Sequence, residues 1–273
     1  MMKTGYFFLI LPFLFFTACE KRTRGFSLKK ITSYYRQASS TQPQPKNLST
    51  ICNQPFTFLG SGNHTYAFVS EDNQYVIKFF KQKHMRTQEF FLPLKRKAQR
   101  KRLRNRTLLS YEIAFFELKE ETGLIFLHLD KSPLFDIQLK IIDQNGTSYT
   151  LPANEYEFLI QKKAELAFRY IEKLLKKNQS NEALDAMMAL LKLNHRRMEK
   201  GIDDRDIQFF KNFGFAEGKA IEIDVGEFTY DEKQKSALHQ KKELKRLSSQ
   251  LLFYVDHHAP ELKSPLEKRL QDL

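Results

Sequence analysis

Residues 56–80 read FTFLGSGNHTYAFVSEDNQYVIKFF and set the character of the front half of the chain. Apolar and polar residues alternate within segments 56–59, 65–69 and 74–80, which is the pattern of β-strands. The connections between these segments carry Gly, Ser, Asn and Asp, the residues that favour tight turns. The stretch therefore predicts three consecutive antiparallel strands joined by short turns.

The segments that follow extend this sheet and insert one helix into it. Residues 107–120 carry apolar side chains at helical spacing. Three further segments are rich in β-forming residues: 124–129, 137–142 and 156–161. We therefore expect a sheet of about five or six strands with a single inserted helix over residues 54–163.

Helical spacing dominates the remainder of the chain, residues 164–273. Apolar residues recur every three or four positions in three segments: 164–177, 181–199 and 234–254. Segment 202–215 lacks this spacing and predicts a loop, and a short strand pair is expected to close at residues 220–225. The expected fold class is α+β, with a β-rich front half and a helical back half.

The composition describes a folded, cationic protein without a disulfide framework. The 273 residues include 45 Lys and Arg against 32 Asp and Glu, for a net charge of +13, and are 41% hydrophobic with 25 Phe. Such a chain can bury a core as one large domain or two lobes, which excludes wholesale disorder. Two cysteines, and no Cys/His spacing typical of zinc, exclude disulfide scaffolds and zinc ribbons.

The N-terminus carries a charge-free apolar run at residues 6–18. A helix of this length spans about 20 Å, short of a roughly 30 Å hydrocarbon core, so a removable signal is favoured over a membrane span. The tetrad Phe16-Thr17-Ala18-Cys19 resembles a bacterial lipobox, in which the signal is cut before a cysteine that is then lipidated. This resemblance implies an exported, membrane-associated lipoprotein that carries its lipid on Cys19.

The basic residues after this run leave a second topology open. Five Lys and Arg residues lie within 21–30, against Lys3 before the run. By the positive-inside rule, an uncleaved inner-membrane anchor would keep the rest of the chain in the cytoplasm. The basic, Pro-, Ser- and Gln-containing residues 20–53 then predict a linker, with ordered structure starting near Gln54.

A basic insertion, residues 82–106, separates the third strand from the helix. Its window 95–106, KRKAQRKRLRNR, holds eight basic residues in twelve, so we expect it to be helical or solvated and to lack a core face. The first alternative is a solvated insertion without a specific ligand, and the candidate partners are otherwise anionic lipid headgroups or an acidic protein. Nucleic acid is disfavoured, because no aromatic residue is interleaved to stack on bases.

Two motifs in the front half have residue types suited to binding phosphate groups. Gly60 and Gly62 lie in the turn between the first two predicted strands, where small residues let backbone N–H groups approach phosphate oxygens. Lys78 lies on the third strand between Ile77 and Phe79. If Lys78 points inward it needs a polar partner, whereas an outward Lys on an alternating strand needs none.

Acidic residues recur in two segments of the back half. Segment 201–214 reads GIDDRDIQFFKNFG and contains Asp204, Asp206 and Asn212. Its three acidic residues within four positions indicate either a solvated, helix-capping loop or a functional site. Segment 221–226, IEIDVG, ends an apolar strand with Asp224 and Gly226.

In chain order these four motifs resemble those of the protein-kinase-like superfamily. The resemblance implies a two-lobed fold, with an antiparallel β-sheet N-lobe that contains one helix and a reduced helical C-lobe. It implies ATP and Mg²⁺ as cofactors, bound between the lobes. The implied roles are nucleotide binding by Gly60, Gly62, Lys78 and Glu112 (or Glu117), Mg²⁺ binding by Asn212 and Asp224, and catalysis by Asp206 and Asp204.

Three hypotheses follow for function. The first is an atypical phosphotransferase with an unknown acceptor, for which the usual protein substrate is disfavoured because the 47 residues after Gly226 (273 − 226) are too few for the usual protein-substrate platform. The second is a membrane-tethered, kinase-like pseudoenzyme or interaction module that uses its basic surface for recognition. The third is an unrelated α+β protein, in which Lys78 and Asp224 would lie far apart.

Overall fold

The alternating stretch at residues 56–80 forms the three antiparallel strands that its pattern predicts. In a computed structural model that describes residues 25–32, 44–82, 85, 92–129 and 136–271, these strands are β1 (Phe56–Ser61), β2 (Thr65–Ser70) and β3 (Tyr75–Phe80). Phe68 and Ile77 lie opposite each other on one face and are fully buried. The alternation therefore gives the sheet one apolar face and leaves Lys78 on the other.

Four more strands complete a seven-stranded sheet in the order β4-β7-β3-β2-β1-β5-β6. They are β4 (Leu124–His128), β5 (Gln138–Ile142), β6 (Ser148–Pro152) and β7 (Phe158–Lys162). Neighbouring strands are antiparallel except β1 and β5, which pair in parallel. The strand missed from the sequence is β6, which returns from β5 through a turn in which Asp143 Oδ1 accepts backbone hydrogen bonds from Asn145 and Thr147.

Two short helices precede the sheet, α1 (Leu28–Ile31) and α2 (Leu48–Cys52). The expectation that ordered structure starts near Gln54 was therefore wrong. The two helices and the residues next to them add five buried side chains to the sheet core: Phe26, Ile31, Leu48, Ile51 and Cys52. Phe26 packs edge-on against Phe68, with ring centroids 5.0 Å apart. These apolar residues are spaced singly among polar ones, so the composition alone predicts a linker.

A long helix, α3 (Leu94–Glu117), crosses the other face of the sheet. It contains both the helix expected at residues 107–120 and the basic window 95–106. Arg104 is 3% exposed, which corrects the expectation that nothing in the window contributes to the core. Its burial is possible because its guanidinium donates two hydrogen bonds, of 2.6 and 3.1 Å, to the buried carboxylate of Glu157.

A short helix, α4 (Lys119–Thr122), follows α3 and ends at Gly123, whose φ of +62° suits glycine.

The helical lobe begins after β7, at the short strand β8 (Glu165–Leu166). Its helices are α5 (Ala167–Lys176), α6 (Ser180–Glu199), α7 (Phe209–Asn212), α8 (Ala237–His258) and α9 (Lys263–Leu270). A single apolar core of leucine, methionine and phenylalanine side chains joins α5, α6 and α8.

Short strands lie where the helical lobe faces the sheet lobe. They are β9 (Ile202–Asp204), β10 (Phe213–Ala216), β11 (Lys219–Glu222) and β12 (Phe228–Tyr230). β10 pairs with β11 and β8, and β9 pairs with β12. The expected loop at residues 202–215 is therefore replaced by β9, α7 and β10, which fix the segment that carries Asp206.

Helix α3 also connects the lobes. The Ser110 hydroxyl accepts a 2.7 Å hydrogen bond from the backbone N–H of Phe228 and donates to the carbonyl of Val225. The architecture confirms the expected α+β class, with a sheet lobe that contains one inserted long helix and a helical lobe.

Some sequence-based expectations fall on residues that lie outside the described ones. These residues include 1–24, with the apolar run and Cys19, and 83–84 and 86–91 of the basic insertion. Within the parts of the chain that the structure describes, no helix has both the length and the apolar character that crossing a membrane requires.

Candidate functional site

Lys78 of β3 reaches from the sheet lobe to the helical lobe. Its ammonium donates a hydrogen bond to the carbonyl of Ile223, the residue before Asp224. Burial lowers the pKa of Lys78, and the nearby carboxylate of Asp224 acts in the opposite direction. The third hypothesis required these two residues to lie far apart, and the structure brings them together.

Asn212 connects this pair to the segment that follows β9. The Asn212 carbonyl accepts hydrogen bonds from the backbone N–H groups of Ile223 and Asp224, at 2.7 and 3.4 Å. Its side-chain amide donates to Asp206, at 2.6 Å to the carbonyl and 3.2 Å to Oδ2. A single hydrogen-bonded chain therefore runs from Lys78 through Ile223 and Asn212 to Asp206.

Asp206 is the predicted catalytic residue that solvent can reach. Its side chain is 35% exposed and lies 3.1 Å from the ammonium of Lys211, and Gln208 donates to its Oδ1. Partial burial raises the pKa of Asp206, but hydrogen bonds from Lys211, Asn212 and Gln208 outweigh this effect and lower the pKa overall. Asp206 is thus an ionised hydrogen-bond acceptor.

Asp204 lies in a different environment from Asp206. Its side chain is 2% exposed, 3.9 Å from Arg197, and its Oδ1 accepts a hydrogen bond from the backbone N–H of Asp206. Burial raises the pKa of Asp204, with Arg197 acting in the opposite direction. The structure therefore does not place Asp204 where a substrate could reach it, and gives it a supporting position behind Asp206.

The buried partners of Asp204 are residues that the sequence analysis missed. Arg197 of α6 lies 3.5 Å from the carboxyl of Glu222 on β11, and both side chains are at most 2% exposed. Burial raises the pKa of Glu222 well above its usual range, Arg197 acts in the opposite direction, and Asp204 raises it further. Within the described residues no donor reaches Asp204 Oδ2 or Glu222 Oε1. The two carboxyls are satisfied only if they share a proton.

Replacing Glu222 by glutamine should flatten the dependence of stability on pH. The folded protein keeps a proton on Glu222 that the unfolded chain releases above the ordinary glutamate pKa of about 4.3, so the free energy of unfolding should fall as pH rises through the window between this value and the raised pKa. One proton gives a slope of about 1.4 kcal/mol per pH unit. Urea unfolding from pH 4.5 upward measures it. The control is Glu199→Gln on the exposed surface of α6, and equal slopes in both variants would contradict the assignment.

Glu112, the predicted partner of Lys78, is not brought to it. Glu112 is half-buried, burial raises its pKa, and it makes no ion pair or hydrogen bond with the residues that the structure describes. Glu117, the alternative, lies at the end of α3, where its carboxylate is 3.4 Å from the hydroxyl of Tyr230. Both roles stay predictions that the geometry does not support.

The residue of α3 that faces the cleft is Tyr111. Its side chain is 2% exposed and packs edge-on against Phe80, with ring centroids 4.8 Å apart. Burial raises the pKa of Tyr111 well above its usual range, and the carboxylate of Asp224 adds to this effect. A hydrogen bond with the side chain of Thr65 acts in the opposite direction. Tyr111 is thus a neutral phenol beside Asp224.

The turn between β1 and β2 covers one side of this cluster. Gly60 has open space around it, since an added Cβ would meet no atom within 4 Å. The turn is held by Lys81, whose ammonium lies 2.8 Å from Ser61 Oγ. The imidazole of His64 packs against Gly226 and lies 3.3 Å from the carboxylate of Glu227.

The donor set fits a nucleotide with Mg²⁺ better than a resident metal. Among the described residues no group of three or more His, Cys, Asp or Glu side chains is arranged to hold a metal ion. The backbone N–H of Asp224 is hydrogen-bonded to the carbonyl of Asn212. The two side chains supply one carboxylate and one amide. Mg²⁺ in nucleotide sites usually takes one or two protein ligands, with phosphate and water oxygens as the others. The predicted ligands therefore suit a metal that arrives with phosphate groups.

The comparisons with known proteins give distant similarities in fold. No known protein-family model and no curated protein sequence matches the chain. Among solved structures, it is similar to the kinase domain of ROP18 in complex with AMP-PNP and sucrose, at 16% identity over 63% of this chain and 51% of that one, with a TM-score of 0.36.

Two further solved structures have comparable similarity. One is the bifunctional kinase-methyltransferase WbdD, at 15% identity over 76% of this chain and 43% of that one, with a TM-score of 0.34. The other is Rv3197 from Mycobacterium tuberculosis in complex with erythromycin, at 13% identity over 66% of this chain and 47% of that one, also with a TM-score of 0.34. The chain spans about half the length of these solved chains. The assignments at the site rest on the geometry described above.

Proposed function

We propose that the chain binds MgATP between its two lobes and transfers the terminal phosphoryl group to an acceptor that is still to be identified. The observation that carries the proposal is the hydrogen-bonded chain from Lys78 through Ile223 and Asn212 to Asp206, with Asp224 beside Lys78. Lys78 of the sheet lobe meets there a segment of the helical lobe that carries the other three side chains, those of Asp206, Asn212 and Asp224. Each has the chemistry that its proposed role in phosphoryl transfer requires.

The residues divide into two groups by what they would hold. Lys78 supplies a partly buried amine for phosphate oxygens, and the absence of a side chain at Gly60 and Gly62 leaves room for the same phosphate groups beside the turn. Asn212 and Asp224 would hold Mg²⁺. When bound there, the metal would neutralise the negative charge that develops on the phosphoryl group during transfer. In this proposal Glu112 has no part, and Tyr111 stands beside Asp224.

Asp206 would orient the acceptor. Its lowered pKa keeps the carboxylate ionised, so it can accept a hydrogen bond from an acceptor hydroxyl and point the hydroxyl oxygen at the phosphoryl group. The amide of Asn212 and the ammonium of Lys211 fix the position of Oδ2. Positioning and charge stabilisation supply most of the catalysis in phosphoryl transfer, so no covalent intermediate on the protein is required.

A nucleotide-binding protein without transfer activity is the second candidate. Two observations favour it: the Lys78 ammonium donates to the Ile223 carbonyl and, among the described residues, is not paired with a glutamate, and the His64 ring packs against Gly226. In the first candidate, nucleotide binding displaces these two contacts. In the second, the contacts remain and the bound nucleotide does not react. A radiolabelled γ-phosphate assay separates the two candidates, because only the first releases or transfers the label.

Thermal unfolding of the full chain in mild detergent, with and without MgATP, tests the proposal. Binding at a hundredfold excess over Kd stabilises the native state by about 2.7 kcal/mol, which corresponds to several degrees for a domain of this size. We expect a magnesium-dependent shift in the wild type that is lost in Lys78→Met and Asp224→Asn. The matched control is Lys140→Met, an exposed lysine on β5 of the same sheet, which should keep the shift. A shift that survives in Lys78→Met and Asp224→Asn would refute the site.

A further inference from the structure

The first half of α3 is a cationic helix that contributes nothing to the core. None of residues 94–103 is buried, and the sequence has no acidic residue from Leu94 to Tyr111. Five of its cations make no ion pair or hydrogen bond with the described residues: Lys95, Arg96, Lys97, Lys101 and Arg102. Leu94, at the start of the helix, is 83% exposed. A helix that exposes this much unpaired positive charge is suited to a polyanionic surface.

The chain enters the fold on the same lobe. The phenol of Tyr66 donates a 3.3 Å hydrogen bond to the carbonyl of Gly25, and the backbone N–H of Phe26 donates a 3.1 Å hydrogen bond to Gln144. Phe26 itself is 5% exposed. The first described residues are therefore fixed to the sheet lobe and do not lead away from it.

A buried hydrogen-bond network joins this entry point to the cationic helix. The backbone N–H of Gln82 donates a 2.8 Å hydrogen bond to the carbonyl of Lys30, next to Ile31 at the end of α1. The side-chain amide of Gln82 donates a 2.6 Å hydrogen bond to Glu157, which also receives the guanidinium of Arg104. One corner of the sheet lobe thus carries both the chain entry and the base of the cationic helix.

Little chain separates this corner from the apolar residues 6–18. Five residues lie between Cys19 and Gly25. Six Cα–Cα steps span at most about 20 Å even when fully extended. The bound is the same for the two topologies expected from the sequence, a lipid on Cys19 or an uncleaved anchor, because both place a bilayer next to residue 19. Either topology would hold the corner close to the membrane surface.

We infer that this corner, comprising the chain entry at residues 25–32 and the cationic helix at 94–103, is a contact surface for an anionic lipid bilayer. Charge complementarity and the short connection to residues 6–18 favour a bilayer over a soluble acidic protein, which would need no such proximity. Each Lys or Arg near an anionic bilayer strengthens the contact about fivefold at physiological salt. The inference concerns membrane contact and does not depend on nucleotide binding.

Hydrogen exchange on the full chain tests the inference. The protein is incorporated into vesicles of phosphatidylcholine alone, or of phosphatidylcholine with about one-third phosphatidylglycerol, and exchange is followed at residues 94–103. We expect exchange to be about tenfold slower on the anionic vesicles, and the difference to disappear at about 1 M salt, where the Debye length is about 3 Å. Circular dichroism confirms that each variant is folded.

Two variants make the measurement specific to the surface. Replacing Lys95, Arg96, Lys97, Lys101 and Arg102 by glutamine removes the unpaired cations while keeping a residue type that favours helix, and should abolish the difference between vesicles. The control replaces three exposed lysines of α8 in the other lobe by glutamine, and should retain the difference: Lys241, Lys242 and Lys245. Equal exchange of the wild type on both kinds of vesicle would overturn the inference. Loss of the effect in the control variant would also overturn it, because the attraction would then be a property of net charge.

Discussion

Replacing Arg104 by methionine is expected to destabilise the protein by about 3–5 kcal/mol. Arg104 and Glu157 form a bidentate ion pair in which the side chains are 4% and 0% exposed. Removing the guanidinium takes two hydrogen bonds and the cationic partner Arg104 away from the buried carboxylate of Glu157, while the hydrogen bond from the Gln82 amide stays. An uncompensated buried charge costs more than the lost attraction itself, which is why the expected effect exceeds that of deleting a methylene or two from the core.

Chemical unfolding monitored by circular dichroism measures this effect. The control is Arg106→Met, two residues further along α3, where the guanidinium is 45% exposed and 3.6 Å from Glu227. Exposed ion pairs contribute at most about 1 kcal/mol, so this variant should remain close to the wild type. The double variant Arg104→Met, Glu157→Gln should recover part of the loss, since it leaves no buried charge. Similar losses for Arg104→Met and Arg106→Met would contradict the account.

Replacing Gly214 by alanine should cost about 3 kcal/mol, the upper part of the range for overpacking. Gly214 of β10 pairs with β8, and an added Cβ would lie 2.4 Å from the backbone oxygen of Glu165 and 2.8 Å from Ala164 Cβ. The atoms in the way belong mainly to the backbone where the chain passes between the lobes. Relief of the clash requires β8 and β10 to separate, with loss of their hydrogen bonds.

Gly226→Ala provides a matched comparison for Gly214→Ala. At Gly226 the added Cβ would lie 2.7 Å from the ring of His64, which is comparable with the 2.8 Å approach to Ala164 Cβ at Gly214. The neighbour there is the end of a side chain that can rotate away, so we expect a loss of less than about 1 kcal/mol. Thermal unfolding of the two variants beside the wild type distinguishes them. If Gly226→Ala were the more damaging substitution, the explanation by backbone contact would fail.

The strands of the sheet lobe were predictable wherever their pattern is local. The alternation at residues 56–80 encodes β1, β2 and β3 directly, because a period of two in apolar residues is a local signal of a strand. The parallel pairing of β1 with β5 joins Phe56 to Ile141, and no local pattern reports a partner 85 positions away (141 − 56). The strands β9 and β10 were missed for a similar reason, since each is only three or four residues long.

Burial of residues in polar surroundings was the main failure. Phe26, Ile31 and Leu48 stand singly among polar residues, so the average composition predicts a linker although each side chain fills a place in the sheet core. Arg104 lies in the most basic window of the chain, and its burial depends on Glu157, a residue 53 positions away. A window average does not contain either kind of information.

The candidate site was predicted in part. Lys78, Asp206, Asn212 and Asp224 were identified from their order along the chain, and the structure brings them together, although their roles stay proposals. On α3 the sequence pointed to Glu112, whereas the residue that lies beside Asp224 is its neighbour Tyr111. Successive residues on a helix point about 100° apart, so the face of α3 that meets the cleft is determined by its packing on the sheet and is not apparent from the order of residues. Glu222 gave no signal in the sequence beyond a charged residue inside an apolar segment, and Arg197 is one of several charged residues near the end of α6.

The contact that Ser110 makes with Val225 and Phe228 has a consequence for movement within the molecule. Once Lys78 has released the carbonyl of Ile223, the lobes stay joined where the chain passes from β7 to β8 and, at a second place, through the hydrogen bonds that α3 makes from Ser110 and Glu117. A rigid body attached at two separate points can still turn about the line through them, but it cannot slide or twist freely. Widening of the cleft should therefore be a swing about a single axis, in which His64 moves away from Gly226 while Ser110 keeps both of its hydrogen bonds.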